Sequence, residues 1–148
     1  MIFKILTLFP DIFPGPLAHS VSGKALEKKL FTIETINIRN FSKEKSKIVD
    51  DKPFGGGAGM VLKPNVMQNA LDFVKKNSTK RNKVIFLSPS GRRVNSKLIN
   101  ELLEWEELII ICGRYEGVDN RFIEHNNIEE ISVGDFVLSG GEIASIIL

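Results

Sequence analysis

Short apolar runs alternate along the chain with segments in which apolar residues recur at helical spacing. The apolar and β-branched runs predict strands at residues 2–9, 32–37, 84–87, 108–112 and 128–132. The amphipathic segments predict helices at residues 22–29, 64–77, 95–105, 118–125 and from residue 140 onward. This alternation is typical of the α/β class, in which helices flank a mostly parallel sheet. The unbroken apolar run at residues 108–112 predicts a central strand that is buried on both faces.

Residues 40–63 show no periodicity and form a long loop for a compact domain. Four of the five residues 55–59 are glycine, which permits positive φ and lets a bulky ligand approach the backbone closely. Two carboxylates, Asp50 and Asp51, precede these glycines and are able to accept hydrogen bonds from the edge of a base. An aspartate-capped flexible turn explains the same residues equally well, so both interpretations stay open at this point.

Three of the predicted strands end in glycine- or proline-containing loops, at residues 88–93, 113–119 and 132–142. The carboxyl ends of parallel strands meet at one edge of a sheet, where the ligands of open α/β proteins bind. Each loop offers backbone amides that can hold a ligand by main-chain hydrogen bonds. A glycine that merely ends a strand accounts for any one loop, but three such loops at the same edge indicate a binding site.

The composition indicates one cytoplasmic domain of 148 residues with an ordinary soluble core, since 43% of the residues are hydrophobic and 26% are charged. Cys112 is the only cysteine, which excludes an intrachain disulfide and a cysteine-rich zinc site. No apolar run approaches the roughly 20 residues of a transmembrane helix. The first residues also lack the features of a signal peptide.

Charge is distributed unevenly along the chain. Residues 1–115 carry 19 basic and 11 acidic side chains, whereas residues 116–148 carry one basic and seven acidic side chains. The net charge of +8 on the first part is consistent with a surface that binds a polyanion. Lysines that only solvate exposed helices and loops produce the same imbalance, and charge alone favours this simpler interpretation.

The chain lacks the motifs of several common chemistries. It has neither the phosphate-binding pattern GxxxxGK[ST] nor the dinucleotide-binding pattern GxGxxG after a strand. His19 and His125 lack metal-ligand spacing, so we interpret them as surface or helix-capping residues and predict no metal site. The serines of the three loops lack a nearby histidine and a GxSxG context, and Cys112 is expected to pack in the core. Hydrolytic and metal-dependent chemistry therefore have no support in the sequence.

Five segments, in order along the chain, carry a family resemblance: FPDIF, VDDKPFGGGAGMV, LSPSGRR, CGRYEGVDNR and EISVGDFVLSGGE. Together they resemble the bacterial tRNA (guanine-N1)-methyltransferases of the TrmD family, and the similarity runs over residues 1–148. The resemblance implies a SPOUT fold, in which a deep C-terminal trefoil knot forms the site for S-adenosylmethionine, although knots are rare in proteins. It also implies methyl transfer to N1 of the guanosine immediately 3′ of a tRNA anticodon.

The resemblance further implies a set of site residues. Those expected to bind S-adenosylmethionine come from the three loops: Leu87, Ser88, Pro89, Gly113, Tyr115, Glu116, Gly117, Ser132, Val133, Gly134, Asp135, Phe136, Val137, Leu138, Gly140 and Gly141. Arg114 is expected to orient the guanine or its phosphate, Glu116 to lie beside the reacting groups, and Asp50 to help seat the base. A base is needed for the reaction, because neutral guanine holds a proton at N1.

Members of the family are homodimers, and the resemblance implies that each active site combines the knotted domain of one subunit with the helical C-terminal domain of the other. That second domain carries an aspartate proposed as the general base, and it is absent from these 148 residues. We therefore expect this chain to bind the donor and to dimerise but to methylate tRNA poorly. A donor- and RNA-binding module without catalytic activity is the alternative. Ser90 stands where the family usually has glutamine, and its shorter side chain is expected to weaken one donor contact.

Overall fold

The computed structural model describes residues 1–148 and contains seven strands. In chain order these are β1 (Ile2–Thr7), β2 (Thr32–Asn37), β3 (Asp50–Asp51), β4 (Val61–Leu62), β5 (Asn82–Arg93), β6 (Glu107–Cys112) and β7 (Glu129–Ser132). Five of them form a parallel sheet in the order β2-β1-β6-β5-β7. β6 is the central strand, as its apolar run predicts, and all of its residues are buried.

Five helices accompany the strands: α1 (Ser20–Glu27), α2 (Pro64–Lys76), α3 (Ser96–Leu103), α4 (Asn120–His125) and α5 (Gly141–Ile147). The predicted α/β class, with a parallel sheet flanked by helices, is therefore confirmed. In α2, Pro64 occupies the first turn, where its missing N–H is not needed. The apolar residues of α2 at helical spacing are buried as predicted: Val66, Met67, Ala70, Leu71 and Val74. None of the helices has the length and apolar character that crossing a membrane requires.

The hydrophobic core lies on both faces of the sheet. Side chains alternate along β6, so Ile109 and Ile111 pack with α2 and α4, whereas Leu108 and Ile110 pack with α3 and α5. Each fully buried aliphatic side chain contributes about 1.5–3 kcal/mol of transfer free energy. This three-layer packing holds the carboxyl ends of β5, β6 and β7 in fixed positions relative to one another.

Apart from shifts of one or two residues at the ends of several elements, two segments differ from the sequence prediction. Residues 40–63, predicted as an aperiodic loop, contain the antiparallel ladder of β3 and β4, in which Asp50 pairs with Leu62. Strands of two residues are too short to produce a periodic pattern. β5 continues to Arg93 instead of ending at residue 87, because its pairing with β7 resumes at Arg92 after an irregularity that follows Leu87.

An ion pair lies inside the protein at the amino-terminal edge of the sheet. Lys4 Nζ is 2.9 Å from Glu107 Oε2, and the two side chains are 9% and 1% exposed. The register of β1 and β6, in which Ile2 lies opposite Glu107, brings the two side chains together. Glu107 Oε1 is buried without a hydrogen-bond partner. Lys4 is therefore the group that compensates the charge of this carboxylate.

Candidate functional site

The three loops that follow β5, β6 and β7 come together at the carboxyl edge of the sheet. They surround an open cavity of about 490 Å³, which we call the three-loop cavity. Residues 86–90, 113–118, 130–134 and 136–141 supply most of its wall. The volume lies within the range of small-molecule sites. The cavity lies at the edge of the sheet where the sequence predicts a ligand site.

The structure brings nearly all of the predicted site residues to this cavity. Every residue expected to bind the donor lines the wall except Asp135, whose side chain is 96% exposed and lies 3.8 Å from Arg93 Nη2. Arg114 and Glu116 line the wall as well. Asp50 is not a wall residue and pairs with Leu62 in the β3–β4 ladder.

Several residues of the wall were not among the predicted site residues: Phe86, Val118, Asn120, Ile123, Glu130, Ile131, Ser139 and Ala144. Ser90, which the resemblance places at a donor contact, lines the wall as well. Most of the residues that were not predicted lie next to a predicted segment. The apolar residues among them follow the hydrophobic periodicity of core positions. That periodicity does not distinguish a residue that packs in the core from one that also faces a cavity. Adjacency to a predicted loop is the signal that would have found them.

The loop after β6 has an unusual backbone. Tyr115 has a φ of +59°, which side chains other than glycine rarely adopt, and Gly117 has a φ of +110°. A Cβ atom at Gly113 would lie 2.8 Å from the ring of Phe86, so this position has no room for a side chain. The turn is closed by a hydrogen bond from Gly117 N–H to the carbonyl of Arg114. Strained backbone of this kind is concentrated at functional sites.

The glycine-rich loop contacts the same site. Gly55, Gly56, Gly57 and Gly59 all have the positive φ that glycine permits. A Cβ atom at Gly59 would lie 2.5 Å from Glu116 Cγ, and Glu116 N–H donates to the carbonyl of Met60. The backbone at Gly59 therefore packs closely against the Glu116 side chain, which lines the three-loop cavity.

The third loop leads directly into α5, which docks against the end of β6. Gly141 N–H donates a 3.0 Å hydrogen bond to the carbonyl of Gly113. A Cβ atom at Gly141 would lie 2.6 Å from Cys112 Cα and 3.0 Å from the Gly113 nitrogen. Gly141 is therefore required for space, and the contact joins the second and third loops around the cavity.

The Arg114 side chain is held by groups from three parts of the chain. Its Nη1 donates a 2.7 Å hydrogen bond to the carbonyl of Ser139, and its Cζ lies 4.4 Å from the centre of the Phe9 ring. Its Nε lies 3.6 Å from Oε2 of Glu142, a buried residue at the start of α5. Sequence reasoning did not select Glu142 or Phe9 as site residues.

The remaining polar candidates behave as the sequence predicts. Cys112 is fully buried, and burial together with the nearby Glu142 carboxylate raises the pKa of its thiol. A neutral buried thiol packs in the core and is a poor nucleophile. His19 is exposed and lies at the N-cap position of α1, and His125 is exposed in the last turn of α4.

A second cavity of about 520 Å³ lies beside the glycine-rich loop and includes Asp51 and Phe54 in its wall. The Arg121 guanidinium stacks over the Phe54 ring at 4.3 Å and lies 2.6 Å from an Asp119 carboxylate oxygen. The hydrogen bonds from Arg121 lower the pKa of Asp119, which also caps the start of α4. Phe54 is 82% exposed, so its ring and the stacked Arg121 present a planar surface to solvent.

The fold and the site define an α/β protein with an open cavity among loops at the carboxyl edge of a parallel sheet. The model of the family described as tRNA (guanine-1)-methyltransferase TrmD matches residues 1–148. The chain belongs to this family, which confirms the resemblance carried by its sequence motifs.

Curated relatives bear the name tRNA (guanine-N(1)-)-methyltransferase. The protein of Wolbachia pipientis subsp. Culex pipiens is 49% identical, over 97% of this chain and 62% of the relative. The protein of Agrobacterium fabrum is 47% identical, over 100% of this chain and 64% of the relative. The protein of Ehrlichia canis is 45% identical, over 98% of this chain and 61% of the relative. The chain spans about three fifths of the length of these relatives.

Proposed function

We propose that this chain is the donor-binding domain of a tRNA (guanine-N1)-methyltransferase, which transfers a methyl group from S-adenosylmethionine to N1 of the guanosine immediately 3′ of the anticodon. The observation that carries the proposal is the convergence of three loops on one cavity in a chain of this family. The names of the relatives favour a methyltransferase over a binding module without activity.

The residues of the three-loop cavity suit S-adenosylmethionine. The wall combines apolar side chains, among them Leu87, Ile131 and Leu138, with the backbone of glycine-containing turns. Apolar surface favours an adenine ring, and main-chain donors and acceptors favour its edge and the ribose hydroxyls. The carboxylates of Glu116 and Glu130 lie in the same wall and suit a cationic ligand. When bound, S-adenosylmethionine supplies a methyl group on a positively charged sulfur.

The acceptor guanine belongs on the side of the cavity that Glu116 and the glycine-rich loop share. In the transfer, the bond from the methyl carbon to guanine N1 forms as the bond to sulfur breaks, and the N1 proton leaves to a base. Glu116 lies beside the reacting groups, and Arg114 orients the guanine or its phosphate. Asp50 helps to seat the base through the loop it precedes, because Gly59 of this loop contacts Glu116. Alignment of donor and acceptor supplies much of the rate enhancement.

The third loop and α5 form the proposed trefoil knot of a SPOUT fold. The strand order β6-β5-β7 supports this, since the chain that leaves β7 must cross the end of β5 to reach β6. It arrives there at Gly141, whose N–H binds the Gly113 carbonyl. A chain that crosses a neighbouring strand end in this way is compatible with the proposed knot.

A homodimer is the proposed assembly, with α5 at its interface. Ile143 and Ile147 on α5 are 49% and 57% exposed, and Val137 in the preceding loop is 84% exposed. Apolar side chains in such a group favour a protein partner. The neighbouring three-loop cavity would then lie close to the second subunit, which agrees with an active site built by two subunits.

Replacing Ile143 by glutamate should convert the dimer into monomers, because a charge within an apolar interface loses its hydration without gaining a partner. Analytical ultracentrifugation measures the assembly. Leu103→Glu is the matched control, because Leu103 is a 62% exposed apolar residue. Leu103 ends α3, which runs antiparallel to the strands, and so it lies near their amino-terminal ends, away from the three-loop cavity. A dimer that persists in Ile143→Glu and dissociates in the control would place the interface elsewhere.

The proposed tRNA substrate agrees with the excess of basic side chains in residues 1–115. An enzyme of tRNA modification in bacteria works in the cytoplasm, which is the proposed location. The basic side chains are proposed to contact phosphates, which position an RNA without reading its sequence.

Titration calorimetry tests the donor site directly. The 148-residue chain should bind S-adenosylmethionine at one site per chain with a dissociation constant of the order of micromolar, about −8 kcal/mol. A nicotinamide dinucleotide should give no heat, because no dinucleotide-binding motif is present. Absence of heat with S-adenosylmethionine at high protein concentration would refute the donor site.

The acceptor is tested with the full-length gene product and tRNA transcripts. Methyl transfer should occur with the guanosine 3′ of the anticodon and disappear when adenosine replaces it, since only the guanine presents a protonated N1 beside a carbonyl. Transfer at another position of the tRNA would contradict the proposed specificity.

A further inference from the structure

We propose that Glu142, itself held by Thr7, is a positioning residue that keeps the Arg114 guanidinium in place at the three-loop cavity for the acceptor RNA. This inference rests on the proposed function. Arg114 lines the cavity and Glu142 does not, so Glu142 acts through Arg114 and not by touching a ligand.

Glu142 is a carboxylate in the interior of the protein. It is 2% exposed, and its Oε1 accepts a 2.7 Å hydrogen bond from the hydroxyl of Thr7, a fully buried residue at the end of β1. The same hydroxyl oxygen accepts a 2.9 Å hydrogen bond from Phe9 N–H. The orientation of the Glu142 carboxylate is thereby fixed by the strand that leads to the Phe9 ring.

The second carboxylate oxygen faces Arg114. Oε2 lies 3.6 Å from Arg114 Nε, and this Nε is buried without a hydrogen-bond partner. A buried charge needs a compensating charge nearby, and no other ion pair involves Glu142. A shift of about half an ångström brings the two atoms within hydrogen-bond distance. The pair is therefore an oriented contact of opposite charges at the rim of the cavity.

Gly140 leaves the space that the contact between Glu142 and Arg114 needs. A Cβ atom at Gly140 would lie 2.5 Å from Glu142 Oε2 and 2.7 Å from Arg114 Nε. The φ of Gly140 is −179°, an extended conformation that any residue adopts, so the glycine is needed only for the space it leaves. The sequence Gly140-Gly141-Glu142 thus combines the docking of α5 with the placement of Arg114.

The held guanidinium has one free edge. Its Nη1 is bound to the Ser139 carbonyl, its Nε faces Glu142, and its plane lies near the Phe9 ring. The side chain remains 24% exposed. A planar fork that is fixed in this way can donate two parallel hydrogen bonds to a phosphate or to a guanine carbonyl edge. Without the Glu142 charge, the guanidinium loses the group that selects this orientation.

The test uses the full-length gene product and the variants Glu142→Gln, Thr7→Val and Thr7→Ser. Glu142→Gln keeps the size of the side chain and an oxygen for the Thr7 hydroxyl. We expect it to lower kcat/KM for tRNA by about 10- to 100-fold, while the dissociation constant of S-adenosylmethionine changes by less than about twofold. Thr7→Val should cause a smaller loss in the same direction, and Thr7→Ser should retain most of the rate.

Two further measurements identify Arg114 as the mediator. In an Arg114→Lys background, Glu142→Gln should have little additional effect, because the two residues act as one unit. In NMR spectra, the Arg114 Nε–H resonance, assigned by its absence in Arg114→Lys, should be protected from solvent in the wild type and exchange rapidly in Glu142→Gln.

Unchanged kcat/KM in Glu142→Gln overturns the inference, and so does an equal loss of donor affinity, which would make Glu142 a structural part of the cavity. Additive effects in the Arg114→Lys background overturn it as well. A wild-type protein that binds no S-adenosylmethionine refutes the proposed function instead, and the Arg114 resonance then still decides whether Glu142 holds the guanidinium.

Discussion

Replacing Gly141 by alanine is expected to weaken the binding of S-adenosylmethionine to this chain strongly. The new methyl group would overlap the backbone at Cys112 and Gly113, which cannot yield as a flexible side chain does. α5 must then move away from β6 and lose the hydrogen bond from Gly141 N–H to the Gly113 carbonyl. Calorimetry should show a loss of affinity of at least about tenfold, and overpacking should lower the free energy of unfolding by about 1–3 kcal/mol.

Gly56→Ala is the matched control for Gly141→Ala. Gly56 has a φ of +89°, but a Cβ atom at this position has no neighbour within 4 Å. The control thus introduces backbone strain of roughly 1 kcal/mol without overlap, and donor binding should persist. If Gly141→Ala binds the donor as tightly as the wild type does, the docking of α5 is not what shapes the cavity.

Replacing Lys4 by methionine is expected to destabilise the protein strongly. It leaves the Glu107 carboxylate buried and uncompensated, with one oxygen already unpartnered. Removing one member of a buried ion pair costs about 3–5 kcal/mol. Denaturant unfolding should show this as a lower midpoint with an unchanged slope.

The double variant Lys4→Met with Glu107→Leu should recover most of the lost stability, because two apolar side chains replace the pair without an isolated charge. Lys80→Met is the second control. It breaks an exposed pair with Glu106, whose side chains are 51% and 57% exposed, and should change the stability by less than about 1 kcal/mol. A loss in Lys4→Met as small as that of Lys80→Met would show that Glu107 is compensated by other means.

The elements with a strong periodic pattern were predictable from the sequence. α2 has five buried positions at helical spacing after a proline, and β6 is a continuous apolar run. In both elements the hydrophobic pattern alone predicts which residues are buried. The β3–β4 ladder was not predictable, because strands of two residues have no period. The extension of β5 to Arg93 was also missed, since it depends on pairing with β7 and the segment itself is largely polar.

The place of the three-loop cavity was predictable from the sequence, and some details of its wall were not. Glycine-containing loops after three strands indicate one edge of the sheet, and the family motifs select the residues of the wall. The exposure of Asp135 depends on the path of the third loop, which no local pattern specifies. The hydrogen bond between Thr7 and Glu142 joins residues 135 positions apart. The sequence around either residue therefore does not predict this contact.

The docking of α5 against both Gly113 and Thr7 also orders events during synthesis of the protein. β1, β2, β5 and β6 leave the ribosome before the third loop, and their pairing does not require it. The cavity gains its third side only when the residues of α5 reach the end of β6. Such a connection between β1 and α5 is slow to form, because the strands that lie between them along the chain must be ordered before it closes. A nascent chain would therefore acquire its affinity for a ligand in one late step, after nearly all of the sheet has formed.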